Sequence, residues 1–78
     1  MNVAVVSPEE VLFEGEAIQV VTRTTEGDVA FLADHAPFVA VLAPGQTRVY
    51  TSDGNVREFE ITGGFVEVSN NTVSILAS

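Results

Sequence analysis

A chain of 78 residues holds one domain with a thin core, since folding at this size hides only about 60–65% of the surface the unfolded chain exposes. Eleven acidic residues against three arginines and no lysine give a formal net charge of −8, which excludes nucleic acid and anionic lipid as partners because both need clustered cations to displace counterions. The absence of cysteine removes disulfides and thiolate metal sites, and no apolar run approaches the roughly 18–20 residues that cross a bilayer. Met1-Asn2 leads straight into a strand pattern without a basic leader, so the expected location is the cytosol, with no membrane insertion.

The hydrophobic content is 46%, dominated by Val with Thr, Ile and Phe, a mixture suited to pleated, half-buried surfaces. Asn2 to Ser7 is a β-branched run ended by Ser7-Pro8-Glu9-Glu10. Val11 to Glu14 is brief and broken by Gly15. Ala17 to Arg23 alternates, with Ile18, Val20 and Thr22 on one face and Gln19, Val21 and Arg23 on the other. A turn at Glu26-Gly27-Asp28 precedes a short strand from Val29 to Leu32, which the Asp34-His35-Ala36-Pro37 segment interrupts.

Phe38 to Leu42 resumes as a strand, and Ala43-Pro44-Gly45 carries proline and glycine where a type II turn wants them, so the chain is expected to reverse there into Gln46 to Thr51. Ser52-Asp53-Gly54-Asn55 is the strongest hairpin signal, leading to Val56–Thr62 with Phe59 and Ile61 inward, Arg57 with them or at the rim, and Glu58 and Glu60 in water. After Gly63-Gly64, the runs Phe65 to Ser69 and Thr72 to Leu76 form a last hairpin about Asn70-Asn71, with Val66, Val68, Val73 and Ile75 as core residues. No window shows a helical period. The expectation is an all-β, two-layer β-sandwich or flattened barrel of about ten short antiparallel strands, in one domain over residues 1–78.

Chemistry is sparse. A phosphate cradle of P-loop type is absent, and the single histidine, His35, is the only imidazole base available to a nucleophile. Adjacent side chains on an extended chain point apart, so Asp34-His35 is poorly placed as a catalytic pair. No ligand spacing suggests a metal. His35 reads as a structural histidine bonded to backbone at a kinked loop, and Gly63-Gly64 as a turn that needs unusual φ. Neither a cofactor nor a catalytic residue is expected.

Several short motifs nevertheless occur together: Gly27-Asp28 before an apolar strand, His35-Ala36-Pro37, Leu42-x-Pro44-Gly45, and Gly63-Gly64-Phe65-Val66-Glu67-Val68 followed by Asn71-x-Val73-x-Ile75-Leu76-Ala77. With Val5-Val6-Ser7-Pro8 and Phe13-Glu14-Gly15 at the start, the chain resembles the amino-terminal β-sandwich domain of the epsilon subunit of F-type ATP synthases along almost its whole length. Thr22-Arg23-Thr24-Thr25 is similar to epsilon subunits of actinobacterial type.

The resemblance implies two five-stranded sheets at the foot of the rotor's central stalk, at the cytoplasmic face of the membrane. One side packs on the gamma subunit and the lower loops rest on the c-subunit ring, so that ring rotation driven by ion flow reaches the catalytic subunits. By position, the ring-facing residues are Glu26, Gly27 and Asp28 at a loop tip, with His35, Ala36 and Pro37 close to the same interface. Ring loops in the family carry an Arg, which an acidic Asp28 would meet. Val20, Val21, Phe38, Val39, Val41 and Val66 are candidates to divide between core and gamma-facing patch.

Two departures stand out. Ala30 replaces a usual Gly, and Ala33-Asp34 a usual Pro-Gly or Pro-Arg. The sequence also ends at Ser78, where the family usually continues into two helices, so neither an inhibitory arm nor a nucleotide site is expected in this polypeptide. The alternative is a free-standing sandwich that binds a small ligand, although the chain has no Trp and one Tyr to stack on a ring.

Overall fold

The computed structural model describes all residues from 1 to 78. Nine strands form: β1 (Asn2–Val6), β2 (Val11–Glu16), β3 (Gln19–Thr24), β4 (Gly27–Leu32), β5 (Phe38–Val41), β6 (Gly45–Tyr50), β7 (Val56–Ile61), β8 (Gly64–Ser69) and β9 (Thr72–Ala77). They make a five-stranded sheet in the order β2-β1-β9-β8-β5 and a four-stranded sheet in the order β4-β3-β6-β7. The layers face each other as an open sandwich, not a barrel. One neighbour pair, β1 and β9, is parallel, which departs from the wholly antiparallel expectation.

Strand parity builds the core. Val3 and Val5 of β1, Val66 and Val68 of β8, and Val73 and Ile75 of β9 turn inward from the larger sheet, and Val20, Phe31, Val49 and Ile61 meet them from the smaller one. The four residues expected from the last hairpin are all buried. Of the residues that alternation groups on one face, Val20 and Thr22 turn inward, whereas Ile18 lies before β3 begins and is exposed. Thr22 and Thr47 are the polar exception between the layers, and they satisfy each other through hydroxyls 2.7 Å apart.

The two connections read as turns from local residues behave differently from the expectation. Leu42 to Pro44 does not reverse the chain within a sheet, because β5 pairs with β8 while β6 pairs with β3 and β7. The segment crosses between layers instead, with Leu42 N donating to Gly64 O at 2.9 Å and Ala43 N to Arg23 O at 2.9 Å. Gly45 is nearly extended at φ 158°, not the tight conformation of a type II turn. At Ser52-Asp53-Gly54 only Gly54 has positive φ (88°), and Thr51 N donates to Asn55 O at 3.0 Å, so this is a three-residue loop with a glycine bulge. Asn70 and Asn71 hold φ of 51° and 58°, as the two-residue hairpin turn requires.

The open side between β2 and β7 is closed by side chains. Phe13 and Phe59 approach to 6.4 Å between ring centroids, and the Arg57 guanidinium lies 5.6 Å and 5.5 Å from them. Arg57 is therefore a rim residue, capping the core with its cation over two aromatic faces.

Candidate partner-docking surface

The β3–β4 hairpin is tighter than its sequence suggests. Thr24 pairs with Gly27, so the exposed tip is Thr25-Glu26. The Thr24 hydroxyl brackets it, donating to Gly27 O at 2.7 Å and accepting from Glu26 N at 3.2 Å, and Gly27 takes φ 123° as the strand begins. Thr25 N donates to Val41 O at 3.0 Å, which ties the hairpin to the end of β5 in the other sheet. The tip is thus held at its base from both layers.

This geometry moves Asp28 off the tip, correcting its expected position. It lies within β4 opposite Arg23, whose Nε donates to Asp28 Oδ1 at 2.9 Å. That bond, with the attraction between the charges, raises the Arg23 pKa above its ordinary value. The opposite charge expected of a partner's arginine is supplied within the chain. Glu26 is the free acidic group at the tip.

His35, Ala36 and Pro37 lie elsewhere. The chain leaves the far end of the six-residue β4, roughly 20 Å along the strand from the tip, before it reaches them. Asp34, at φ 62°, donates its N–H to Asn71 Oδ1 at 2.8 Å, anchoring the loop to the β8–β9 turn beside the amino terminus. The expected grouping of Glu26, Gly27 and Asp28 with His35, Ala36 and Pro37 is therefore divided between opposite ends of the sandwich. A strand lies between them.

The His35 ring stands edge-on to Phe31 at 5.0 Å and to Phe38 at 6.2 Å, and its Nδ1–H donates to Ala36 O at 2.7 Å, a carbonyl that can only accept. This matches the structural role read from the sequence.

A larger feature lies on the outer face of the five-stranded sheet. Register places Val41, Phe65, Leu76, Val6 and Val11 in one line across all five strands. Phe65 remains 54% exposed and Leu76 45%, with Val39 beside them at 68%. Of the residues left undivided between core and patch, Val39 and Val41 belong here, Val20 and Val66 are core, Phe38 packs against the core, and Val21 is on the other sheet's outer face. Phe65, Leu76, Val6 and Val11 were missed. Their signal was available as apolar residues at alternate positions to the buried valines, but it became a stripe only once the register was known.

The hairpin tip and the stripe share one end of the molecule, since Thr24 bridges to Leu42, next to Val41. A contiguous exposed apolar stripe of this kind is a candidate interaction surface.

The family model for the ATP synthase Delta/Epsilon chain β-sandwich domain matches residues 1–78. This chain belongs to that family.

Among Delta/Epsilon relatives, the ATP synthase epsilon chain of Frankia casuarinae is 43% identical over 77 residues, with 99% of this chain and 91% of that one covered. The ATP synthase epsilon chain of Dichelobacter nodosus is 41% identical over 76 residues, covering 97% of this chain but 53% of that one. The chain thus spans nearly all of one relative and about half of the other. In a structure of the Euglena gracilis mitochondrial ATP synthase containing OSCP, F1 and the c-ring, one chain superposes with a TM-score of 0.89 at 30% identity, over 96% of this chain and 48% of that one. Its epsilon relatives are named as chains of an ATP synthase.

Proposed function

We propose that this Delta/Epsilon sandwich is a rotor subunit of a proton-translocating F-type ATP synthase, passing c-ring rotation to the gamma subunit without catalysing a reaction itself. It works as a peripheral component at the cytoplasmic face of the membrane. The observation that carries the reading beyond family membership is the apolar stripe Val41–Phe65–Leu76–Val6–Val11, which crosses a whole sheet and has no partner within the chain. A torque-bearing contact needs a broad surface on a stiff element, and a five-stranded sheet provides both. We assign the stripe to gamma.

The ring contact belongs at the hairpin end, with Glu26 as the acidic group, because Asp28 is already paired with Arg23. The His35-Ala36-Pro37 loop lies at the other end and keeps a structural role. Co-purification with the gamma subunit and c ring of its own source tests the reading, and a chain that associates with neither overturns it. Glu26→Arg should lower ATP-driven proton pumping in reconstituted vesicles while leaving thermal unfolding unchanged. Undiminished pumping would remove Glu26 from the ring contact.

A further inference from the structure

The outer face of the four-stranded sheet differs from the striped face in charge as well as in hydrophobicity. Two of the chain's three cations, Arg23 and Arg48, project there from the adjacent central strands β3 and β6. Val21 pairs with Arg48, so Arg23 lies one pleat further along the same face, and the two arginines are diagonal neighbours. Between them is a cleft of about 190 Å³ lined by Val21, Thr22, Arg23, Asp28, Gln46 and Arg48. The opposite outer face carries Glu14, Glu16 and Glu67 on its strands and no arginine, its one cation being the amino-terminal ammonium, 3.3 Å from Glu16 Oε2.

Each arginine is anchored by the same atom. Arg23 Nε reaches Asp28 Oδ1 at 2.9 Å, and Arg48 Nε lies 3.4 Å from Glu58 Oε2. Asp28 is on β4 and Glu58 on β7, so the carboxylates flank the pair from the two edge strands. The hydrogen bond orients the Arg23 guanidinium plane, the looser ion pair draws Arg48 toward β7, and the terminal amino groups of both remain available to a further acceptor. Planar forks of this kind favour bidentate recognition of a carboxylate.

We infer that this cleft is a second docking site, which takes an acidic side chain from another subunit of the assembly. The inference rests on the rotor reading. A free multivalent anion is disfavoured by the chain's net charge of −8 and by the flanking Asp28 and Glu58. A single carboxylate carried on a protein meets less repulsion, and its affinity is supplemented by apolar contact. One row along the same face, register aligns Leu32, Gln19, Tyr50 and Val56, of which Leu32 is 58% and Val56 45% exposed. The site combines a charge that sets register with an apolar strip that adds burial.

The chain contains no lysine, which makes the test direct. Arg48→Lys introduces the sole lysine, and carbodiimide joins it to any carboxylate within ion-pair distance. In the complex assembled from its own source, peptide mapping should find position 48 joined to an Asp or Glu of another subunit, and Arg23→Lys should report the same partner segment. Coupling only to Glu58, or to nothing, in a variant that still co-purifies overturns the inference and leaves the rotor reading standing. Failure of the unmodified chain to co-purify overturns both.

A second measurement separates a free anion from a protein carboxylate. Acetate and inorganic phosphate are titrated into the isolated chain while the arginine Nε–Hε resonances are followed. No saturation in the low millimolar range is expected; saturation that Arg48→Gln abolishes would assign the cleft to a free anion instead. The double variant Arg23→Gln with Arg48→Gln should bind the complex about tenfold more weakly.

Discussion

Gly64 and Gly27 both hold positive φ, at 118° and 123°, but their surroundings differ. A Cβ at Gly27 would meet nothing, whereas one at Gly64 would run into the Leu76 carbonyl oxygen across the β8–β9 ladder. Gly64→Ala should therefore cost about 3–5 kcal/mol, combining backbone strain with a clash against rigid backbone, and Gly27→Ala only about 1–2 kcal/mol. Urea midpoints at constant m-value will show the order, and equal losses would contradict it. The Thr22–Thr47 pair poses a different question, because both hydroxyls are buried and each is the other's partner. Either single change to Val should cost about 1–3 kcal/mol by stranding one hydroxyl, while the double change should come close to neutral. A double-mutant cycle reads the coupling; additive costs would refute it. At this scale the sequence was informative about Gly64, though not Gly63, as a special-φ position and about His35 as a structural residue. It said nothing of the threonine pair, whose members meet only across β3 and β6.

Among the elements, turn chemistry decided which hairpins were legible. Asn70-Asn71 formed its two-residue turn because both side chains tolerate positive φ. The Thr51–Asn55 loop did not follow the Asp-Gly signal to a two-residue turn, since Asp53 is held by local bonds: it accepts from the Thr51 hydroxyl, from Asn55 N at 3.2 Å and from Asn55 Nδ2 at 3.0 Å. The Thr51 hydroxyl first, then the Asn55 amide, lower the Asp53 pKa below its ordinary 3.8. A carboxylate depressed in the folded state contributes stability that is complete above its unfolded value and is lost as pH falls through the folded value. The loop should stay ordered through pH 5, and the Asn55 amide resonance should titrate with a midpoint under 3.8. A midpoint at or above that value would show that these bonds do not favour the ionised form. The β3–β4 turn was displaced toward Thr25-Glu26 by the bracketing Thr24 hydroxyl, a side-chain bond that alternation of polarity does not encode.

For the molecule as a whole, the two outer faces differ: one is striped with apolar side chains and the other carries two arginines, each ion-paired. Phe65→Asp should change the stability of the isolated chain by no more than about 0.5 kcal/mol, because the ring is more than half exposed. It should weaken binding to gamma at least about tenfold by removing a large apolar side chain from the exposed stripe that gamma would cover. Titration calorimetry with purified gamma checks this, and unaltered affinity would place the gamma contact elsewhere. The sequence by itself determined the all-β class, the two-layer architecture, most strand positions and the inward valines of the last hairpin, because these follow from period-two alternation and from residues adjacent in the chain. Only the tertiary structure decided that β1 runs parallel to β9, that Leu42 to Pro44 crosses between sheets, and that the ring-facing candidates lie at opposite ends of β4. It also made a stripe of Val6, Val11, Val41, Phe65 and Leu76 and a cleft of Arg23 and Arg48. The physical reason is common to all of these: each depends on register between strands distant in sequence, which core packing sets collectively and which no local pattern contains.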